Sequence, residues 1–525
     1  MSEPSDISRR SFVLGTTATV AMTAAGAKGP AGSSSADVAR PGSTAAPGTA
    51  APDGCELCNL GAVEAVAHMS QGSLTSERYA QALLARCHSA HSLNAFISLE
   101  PQRVLEDARA RDLERRAGGK PGPMFGLPIP VKDSVNTRDY PTTAGTPALR
   151  HFRPREDAPV VVRLRAAGAL VLGKTNLHEL SYGWTSNNLA FGAVHNPYDI
   201  SRIPGGSSGG TAAAIAARLA PLGIAEDTEG SIRVPAAFCG IAGFRPTTGR
   251  YSTKGCVPIS PLFDQVGPHA RNVADLVLFD SVAAQDWQML DATALQGLRL
   301  GVVRDYWFTD LDPEVLRLTE IALARLKEAG AQIIDTQLPG LAQLIEITTD
   351  VIQNHDVRVA LTHYLNEYGA GVDFETLVAH ASPDIQRVFR SDVMPGGANF
   401  VTEAVYAAAR DQHLPALRRL YLEYFARTQV AAMVFPTTLV AAPKIGEDTR
   451  VAVGDSSLPF DVAVARNIAP GSTAGLPGLV LPVGLNRGGL PVSIEFDAPS
   501  GHDRALLALG LSAEHALGTL PAPQI

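Results

Sequence analysis

Two glycine-rich segments that carry serines, and one lysine, hold the chemistry this sequence offers. The first segment is Gly205-Gly206-Ser207-Ser208-Gly209-Gly210, and the second is Glu226-Asp227-Thr228-Glu229-Gly230-Ser231-Ile232-Arg233. The lysine is Lys132, preceded by the apolar Pro128-Ile129-Pro130-Val131. A serine hydroxyl becomes a good nucleophile only when a neighbouring base takes its proton, and glycines let backbone N–H groups approach a developing oxyanion. Two familiar patterns offer other readings. Residues 205–209 fit G-x-S-x-G, the elbow of α/β-hydrolases, which would make Ser207 the nucleophile. That elbow needs a buried strand directly before it and an Asp, then a His, later in the chain. The preceding Asn196–Pro204 stretch is polar and turn-rich, although Asp497 and His502 supply a late pair. Residues 168–175 match the P-loop letter for letter, but a phosphate cradle needs an open loop where Ala169-Leu170-Val171-Leu172 reads as a strand interior. His195 lies in a turn before Asn196-Pro197 and is a poor base candidate. No His, Cys, Asp or Glu group has metal-ligand spacing, so neither a metal nor a cofactor is expected.

The serine segments and Lys132 belong to a longer ordered set. It includes Leu164-Arg165-Ala166-Ala167-Gly168-Ala169, Gly173-Lys174-Thr175-Asn176, Phe191-Gly192 with Asn196-Pro197, and Gly240-Ile241-Ala242-Gly243-Phe244-Arg245-Pro246-Thr247. Ala474-Gly475-Leu476-Pro477 and Gly489-Leu490-Pro491-Val492 complete it. The set resembles the amidase signature family, whose members hydrolyse amides with a Ser–Ser–Lys triad, and the resemblance runs from about Leu57 to the end. It implies that Ser231 is the nucleophile that forms the acyl-enzyme. Ser207, held by a cis peptide in the family, is then the bridging serine that relays the proton, and Lys132 is the terminal base. The N–H groups of Thr228, Glu229, Gly230 and Ser231 correspond to the oxyanion hole, with Ser208, Asp227 and Arg233 ordering the loop around it. Glu229 departs from the family, which usually has glycine there, and its carboxylate is expected to point away from the hole.

The resemblance implies a small-molecule amide as the binding partner, and a monomer or homodimer. Residues 250–264 are similar to the mandelamide and indoleacetamide hydrolase branch, which favours aryl or other apolar amides. Tyr182, Trp184 and the helical 340–420 segment are candidate pocket walls. An esterase or carbamate hydrolase would use the same triad, since an acyl-enzyme does not record its leaving group. A tRNA-dependent amidotransferase subunit of the same family is a further alternative.

A lysine acts as a base only when neutral, which means lowering an ordinary pKa of about 10.4 by about 3, a differential of about 4 kcal/mol. Burial among Pro128–Val131 would supply this, whereas an ion pair with the adjacent Asp133 would oppose it.

These side chains need elements to hold them. Residues 57–117 show apolar positions at three- and four-residue spacing and read as helical. Residues 125–131 read as an edge or entering strand because of their prolines. A helix over 158–167 and a strand over 169–172 follow, then a small-residue helix over 211–217 and a strand over 222–225. Further strands are expected at 298–303, 331–334, 433–435, 479–482 and 492–496, and helices at 313–329 and 406–428. Such alternation predicts an α/β fold: one large domain with a central mixed sheet covered by helices on both faces.

Composition agrees. The chain has 525 residues, 45% hydrophobic and 18% charged, with a net charge of −8. That describes a well-packed globular enzyme and argues against nucleic acid as a partner. No run of about 20 strongly apolar residues offers a membrane span. Ser8-Arg9-Arg10-Ser11-Phe12 resembles a twin-arginine motif, and a weakly apolar run ends at Ala25-Gly26-Ala27. Residues 1–27 are therefore expected to be an export signal, leading to a periplasmic or extracellular location. Residues 28–54, rich in Ala, Gly, Pro and Ser, are expected to be a flexible linker, and 55–525 the amidase domain. Cys55 and Cys58 are a candidate local disulfide after export.

Overall fold

In the computed structural model, which describes residues 54–525, the short apolar runs pair as strands. In chain order they are β1 (Phe96–Leu99), β2 (Pro128–Lys132), β3 (Leu170–Thr175), β4 (Asn187–Asn188), β5 (Gly192–Ala193), β6 (Leu222–Asp227), β7 (Ala242–Arg245) and β8 (Gln265–Ala270). They continue as β9 (Arg299–Val302), β10 (Gln332–Asp335), β11 (Ala432–Pro436), β12 (Arg450–Val453), β13 (Ser456–Pro459), β14 (Gly478–Leu485) and β15 (Pro491–Asp497). Among the described residues, eleven join one sheet in the order β1-β3-β2-β6-β8-β7-β14-β15-β11-β9-β10, while β4 with β5 and β12 with β13 form separate pairs. Strands β3, β2 and β6 run parallel to one another, as do β11, β9 and β10; β1 is antiparallel to β3, and the pairs joining the two parallel groups are antiparallel. The sheet is therefore mixed. The expected signal and linker, apart from Gly54, lie outside the described residues, as does the side chain of Cys55.

Strand alternation buries both faces. Val171 belongs to one apolar cluster, while its neighbours Leu170 and Leu172 belong to another. The same split separates Leu479 and Leu481 from Val480. The helices Gly209–Ala216 and Arg233–Cys239 supply alanines to the second cluster, and Val273–Ala283, Pro313–Glu328 and Asp503–Leu517 supply larger side chains to the first. Among the described residues, no helix is long and apolar enough to cross a membrane.

Some expectations change. Strand β2 is internal, between β3 and β6, and not at an edge. Its prolines are tolerated because the ladder shifts register between Ile129 and Pro130, and Val131 alone pairs with Ile224 of β6. The helical stretch 57–117 is interrupted by β1, which pairs with β3. The expected 406–428 helix begins at Glu403 and contains a widened turn, Ala409–His413, just before Pro415.

Candidate active site

The parallel neighbours β2 and β6 end side by side, so Lys132 and Glu226-Asp227 arrive at the same edge of the sheet. The glycine-rich loop before helix Gly209–Ala216 folds over this edge and carries Ser207, whose peptide bond with Gly206 is cis. Lys132 Nζ donates to Ser207 Oγ at 2.6 Å, with both side chains fully buried. The backbone N–H groups of His178 and the hydroxyl of Ser186 donate to the Ser207 carbonyl at 3.1 Å each, fixing the loop from behind.

Ser231 lies between β6 and helix Arg233–Cys239, and is buried. Its carbonyl accepts from the Ser208 N–H at 3.3 Å, while Ser208 Oγ donates to the Glu226 carbonyl at 3.0 Å. Ser208 thus ties the two serine segments together. Gly230 has φ +101°, and a Cβ there would collide with Ile468, so only glycine suits this position.

Asp227 and Arg233 form the base of the loop. Asp227 accepts from the N–H groups of Gly230 at 2.6 Å and Ile232 at 3.0 Å, and from Arg233 Nε at 3.1 Å. Burial works against the Asp227 charge, but Arg233, Arg245 and the Gly230 N–H hold its pKa down at about 2. Burial likewise disfavours the Arg233 charge, yet Asp227 and Glu495 keep it above the usual guanidinium range. Arg233 also donates to Glu495 at 2.7 Å and to the Ile468 carbonyl at 3.0 Å. Arg245, Glu495 and Asp497 complete a fully buried charge cluster that sequence reasoning did not single out.

Thr228 donates through its hydroxyl to Asp264 at 2.6 Å. Asp264 also accepts from the Ile259 and Ser260 N–H groups, and burial raises its pKa to about 7. Glu229 is half-buried. Its carbonyl accepts from Trp184 Nε1 at 2.8 Å, and its carboxyl accepts from Gln353 Nε2 at 2.5 Å, on the helix Thr349–Glu367. Burial, reinforced by Asp350 on the same helix, raises the Glu229 pKa to about 8. Tyr182 donates to Asn354 of that helix at 2.5 Å. The suggested wall residues Tyr182 and Trp184 and the 340–420 segment therefore meet around Glu229.

The Lys132–Asp133 ion pair does not form. Asp133 pairs instead with Lys174 at 3.1 Å, and Lys132 is 2.7 Å from Glu226 Oε1. Burial lowers the Lys132 pKa, with Glu226 opposing. Lys174 is the lysine of the P-loop pattern, and it ends buried within β3. The elbow reading also loses its partners. Ser207 follows a loop, Asp497 sits in the buried arginine cluster, and the His502 ring faces the Ser500 carbonyl at the surface. His195 bonds to the Ile200 carbonyl at 2.7 Å. Glu226 went unrecognised in the sequence. The signal for it was a carboxylate one residue before the end of a wholly buried strand that runs parallel to the strand ending at Lys132.

Comparison with known proteins agrees with this arrangement. The Amidase family model matches residues 78–507. The chain is 38% identical to an indoleacetamide hydrolase from Agrobacterium vitis, over 85% of this chain and 94% of the relative. It is also 38% identical to a mandelamide hydrolase from Pseudomonas putida, over 89% and 93%. An amidase crystal structure superposes with a TM-score of 0.78 at 31% identity, covering 87% of this chain and all of that one. A native peptide amidase from Stenotrophomonas maltophilia gives 0.73 at 29% identity, covering 89% and 98%. By sequence, by sheet and by the arrangement of its buried edge, the chain belongs to the amidase family and is a hydrolase of amide C–N bonds.

Proposed function

We propose that the protein hydrolyses a small aryl or apolar carboxamide through an acyl-enzyme on Ser231, releasing ammonia or an amine. The observation that carries this reading is the 2.6 Å contact of Lys132 Nζ with Ser207 Oγ, made inside the fold by residues far apart in sequence. Ser207 takes the proton of Ser231 as Ser231 attacks the carbonyl carbon, and passes its own proton to Lys132. In this mechanism the N–H groups of Thr228, Glu229 and Ser231 stabilise the carbonyl oxygen as it gains charge, while the Gly230 N–H, expected among them, is donated to Asp227 and holds the loop in shape. Proton return from Lys132 through Ser207 to the leaving nitrogen breaks the C–N bond, and water repeats the sequence on the acyl-enzyme. The aryl or apolar preference rests on similarity to the indoleacetamide and mandelamide hydrolases and on the Tyr182 and Trp184 walls. Export by the twin-arginine route, with 28–54 linking the signal to the amidase domain, and a monomeric or homodimeric state complete the proposal.

Ammonia release from a panel of aryl-acetamides, aliphatic amides and esters tests it. Wild type is expected to turn over the aryl-acetamides best, and Ser231→Ala, Ser207→Ala and Lys132→Ala to lose at least about 1,000-fold in kcat/KM. An ester-only activity, or a Ser231→Ala variant within about tenfold of wild type, contradicts the reading.

A further inference from the structure

The terminal base does not stand alone. Lys132 Nζ makes two hydrogen bonds of nearly equal length, 2.6 Å to Ser207 Oγ and 2.7 Å to Glu226 Oε1. The same Glu226 oxygen accepts from Ser181 Oγ at 2.5 Å and from Ser134 Oγ at 3.3 Å. Lysine and glutamate are both buried, so their interaction is poorly screened by solvent.

We propose that Glu226 is a positioning residue of the catalytic relay, orienting Lys132 toward Ser207 and stabilising the ammonium that forms when Lys132 accepts the Ser207 proton. The proposal rests on the amide-hydrolase reading of the Lys132–Ser207–Ser231 set. In the reactive state the pair is a neutral amine beside a carboxylate. As Ser231 is acylated, its proton moves to Ser207 and the Ser207 proton moves to Lys132. The product is an ammonium–carboxylate ion pair, and Glu226 itself neither gains nor loses a proton. Its role parallels that of the aspartate in a Ser–His–Asp triad, which holds its base and stabilises the cation the base becomes.

The other groups around Lys132 do not supply this charge. Asp227, also on β6, directs its carboxylate to Arg233 and has Arg245 beside it. Asp133, next in the chain, pairs with Lys174. Burial holds His178, after β3, and His269, on β8, down at about 4, so both rings are neutral near pH 7. Burial pushes the Cys256 thiol up, which keeps it protonated. Asp264 accepts from the Thr228 hydroxyl and from the Ile259 and Ser260 N–H groups, and is not among the hydrogen-bond partners of Lys132 in the described residues.

A carboxylate beside a lysine raises the pH at which the lysine becomes neutral, and also makes the neutral amine a stronger base. Glu226→Gln keeps an acceptor for Lys132 and Ser181 while removing the charge. The pH profile of kcat/KM separates the two contributions. Glu226→Gln is expected to move the midpoint of the acid limb down by about 1–3 pH units. It should also lower the plateau above that limb by roughly tenfold, because a less basic amine drives the transfer less. Glu226→Ser, smaller and also uncharged, is expected to shift the midpoint in the same direction and provides the test if the glutamine variant does not fold. A purely structural glutamate would reduce activity at every pH with the midpoint in place. A midpoint within about 0.3 of wild type, or one that rises, overturns the proposal. If Lys132→Ala itself keeps the acid limb, the relay reading falls; if Lys132→Ala is inactive while Glu226→Gln keeps its midpoint, only the role of Glu226 falls.

Discussion

At the scale of single residues, Glu229 shows how a departure from a family pattern is accommodated. A carboxylate beside an oxyanion hole would repel the charge that the hole stabilises. Here Gln353 and the helix Thr349–Glu367 engage it, and burial raises its pKa to about 8. Below that pH the group is largely neutral; above it a negative charge appears on the Thr228–Ser231 segment that the proposed mechanism uses as its oxyanion hole. The kcat/KM profile is therefore expected to fall as pH rises through about 8, and Glu229→Gln is expected to remove that alkaline limb with little change at pH 7. An unchanged alkaline limb in the variant would show that Glu229 does not face the reaction. The spacing of Lys132, Ser207 and Ser231 was legible in the sequence because glycines and serines with family-like neighbours marked it. The partner of Lys132 was not, since sequence adjacency favoured Asp133 whereas strand register selected Glu226.

Elements set that register. The sequence revealed many helices and most of the apolar strands, but β1, β7, β8 and the short pairs β4–β5 and β12–β13 escaped notice. Strand β8 is Gln265-Val266-Gly267-Pro268-His269-Ala270, whose Gly-Pro pair reads as a turn, yet it pairs with β6 along its whole length. Tertiary pairing overrode the local signal, as it did for the prolines of β2. The loop between β6 and the helix Arg233–Cys239 is equally constrained. Gly230→Ala would place a methyl against Ile468 at a positive φ, so it is expected to lower kcat/KM by at least about 100-fold. Because the strain resides in the loop, Ile468→Ala alone should not restore the double variant to wild-type activity, as steady-state kinetics would show. Full recovery would mean that side-chain crowding, and not backbone conformation, was the constraint.

For the molecule as a whole, the buried charges that order the site also hold the sheet to its surrounding segments. Arg233 joins Asp227 on β6 to Glu495 on β15 and to the Ile468 carbonyl. Arg233→Met would leave Glu495 without its arginine and Asp227 with Arg245 alone, and is expected to cost about 3–5 kcal/mol, read as a lower thermal unfolding midpoint. A midpoint equal to that of wild type would show that the cluster is dispensable. The Asp227 pKa of about 2 lies below the usual value of about 3.9, so its stabilisation is present above pH about 4 and lost as pH falls toward 2. Asp227→Asn should therefore be less stable at pH 7 and show a shallower loss of stability over that acid range. Composition and apolar runs indicated one α/β domain, but neither could show that charges separated widely in sequence converge beneath the Thr228–Ser231 loop. The proposed mechanism requires that Ser231, and not Ser207, becomes acylated. Intact-mass and peptide-mapping mass spectrometry of enzyme quenched during turnover of an aryl-acetamide measures this directly. The predicted result is one acyl group on Ser231, lost in Ser231→Ala; an acyl group on Ser207, or labelling that persists in Ser231→Ala, would contradict it.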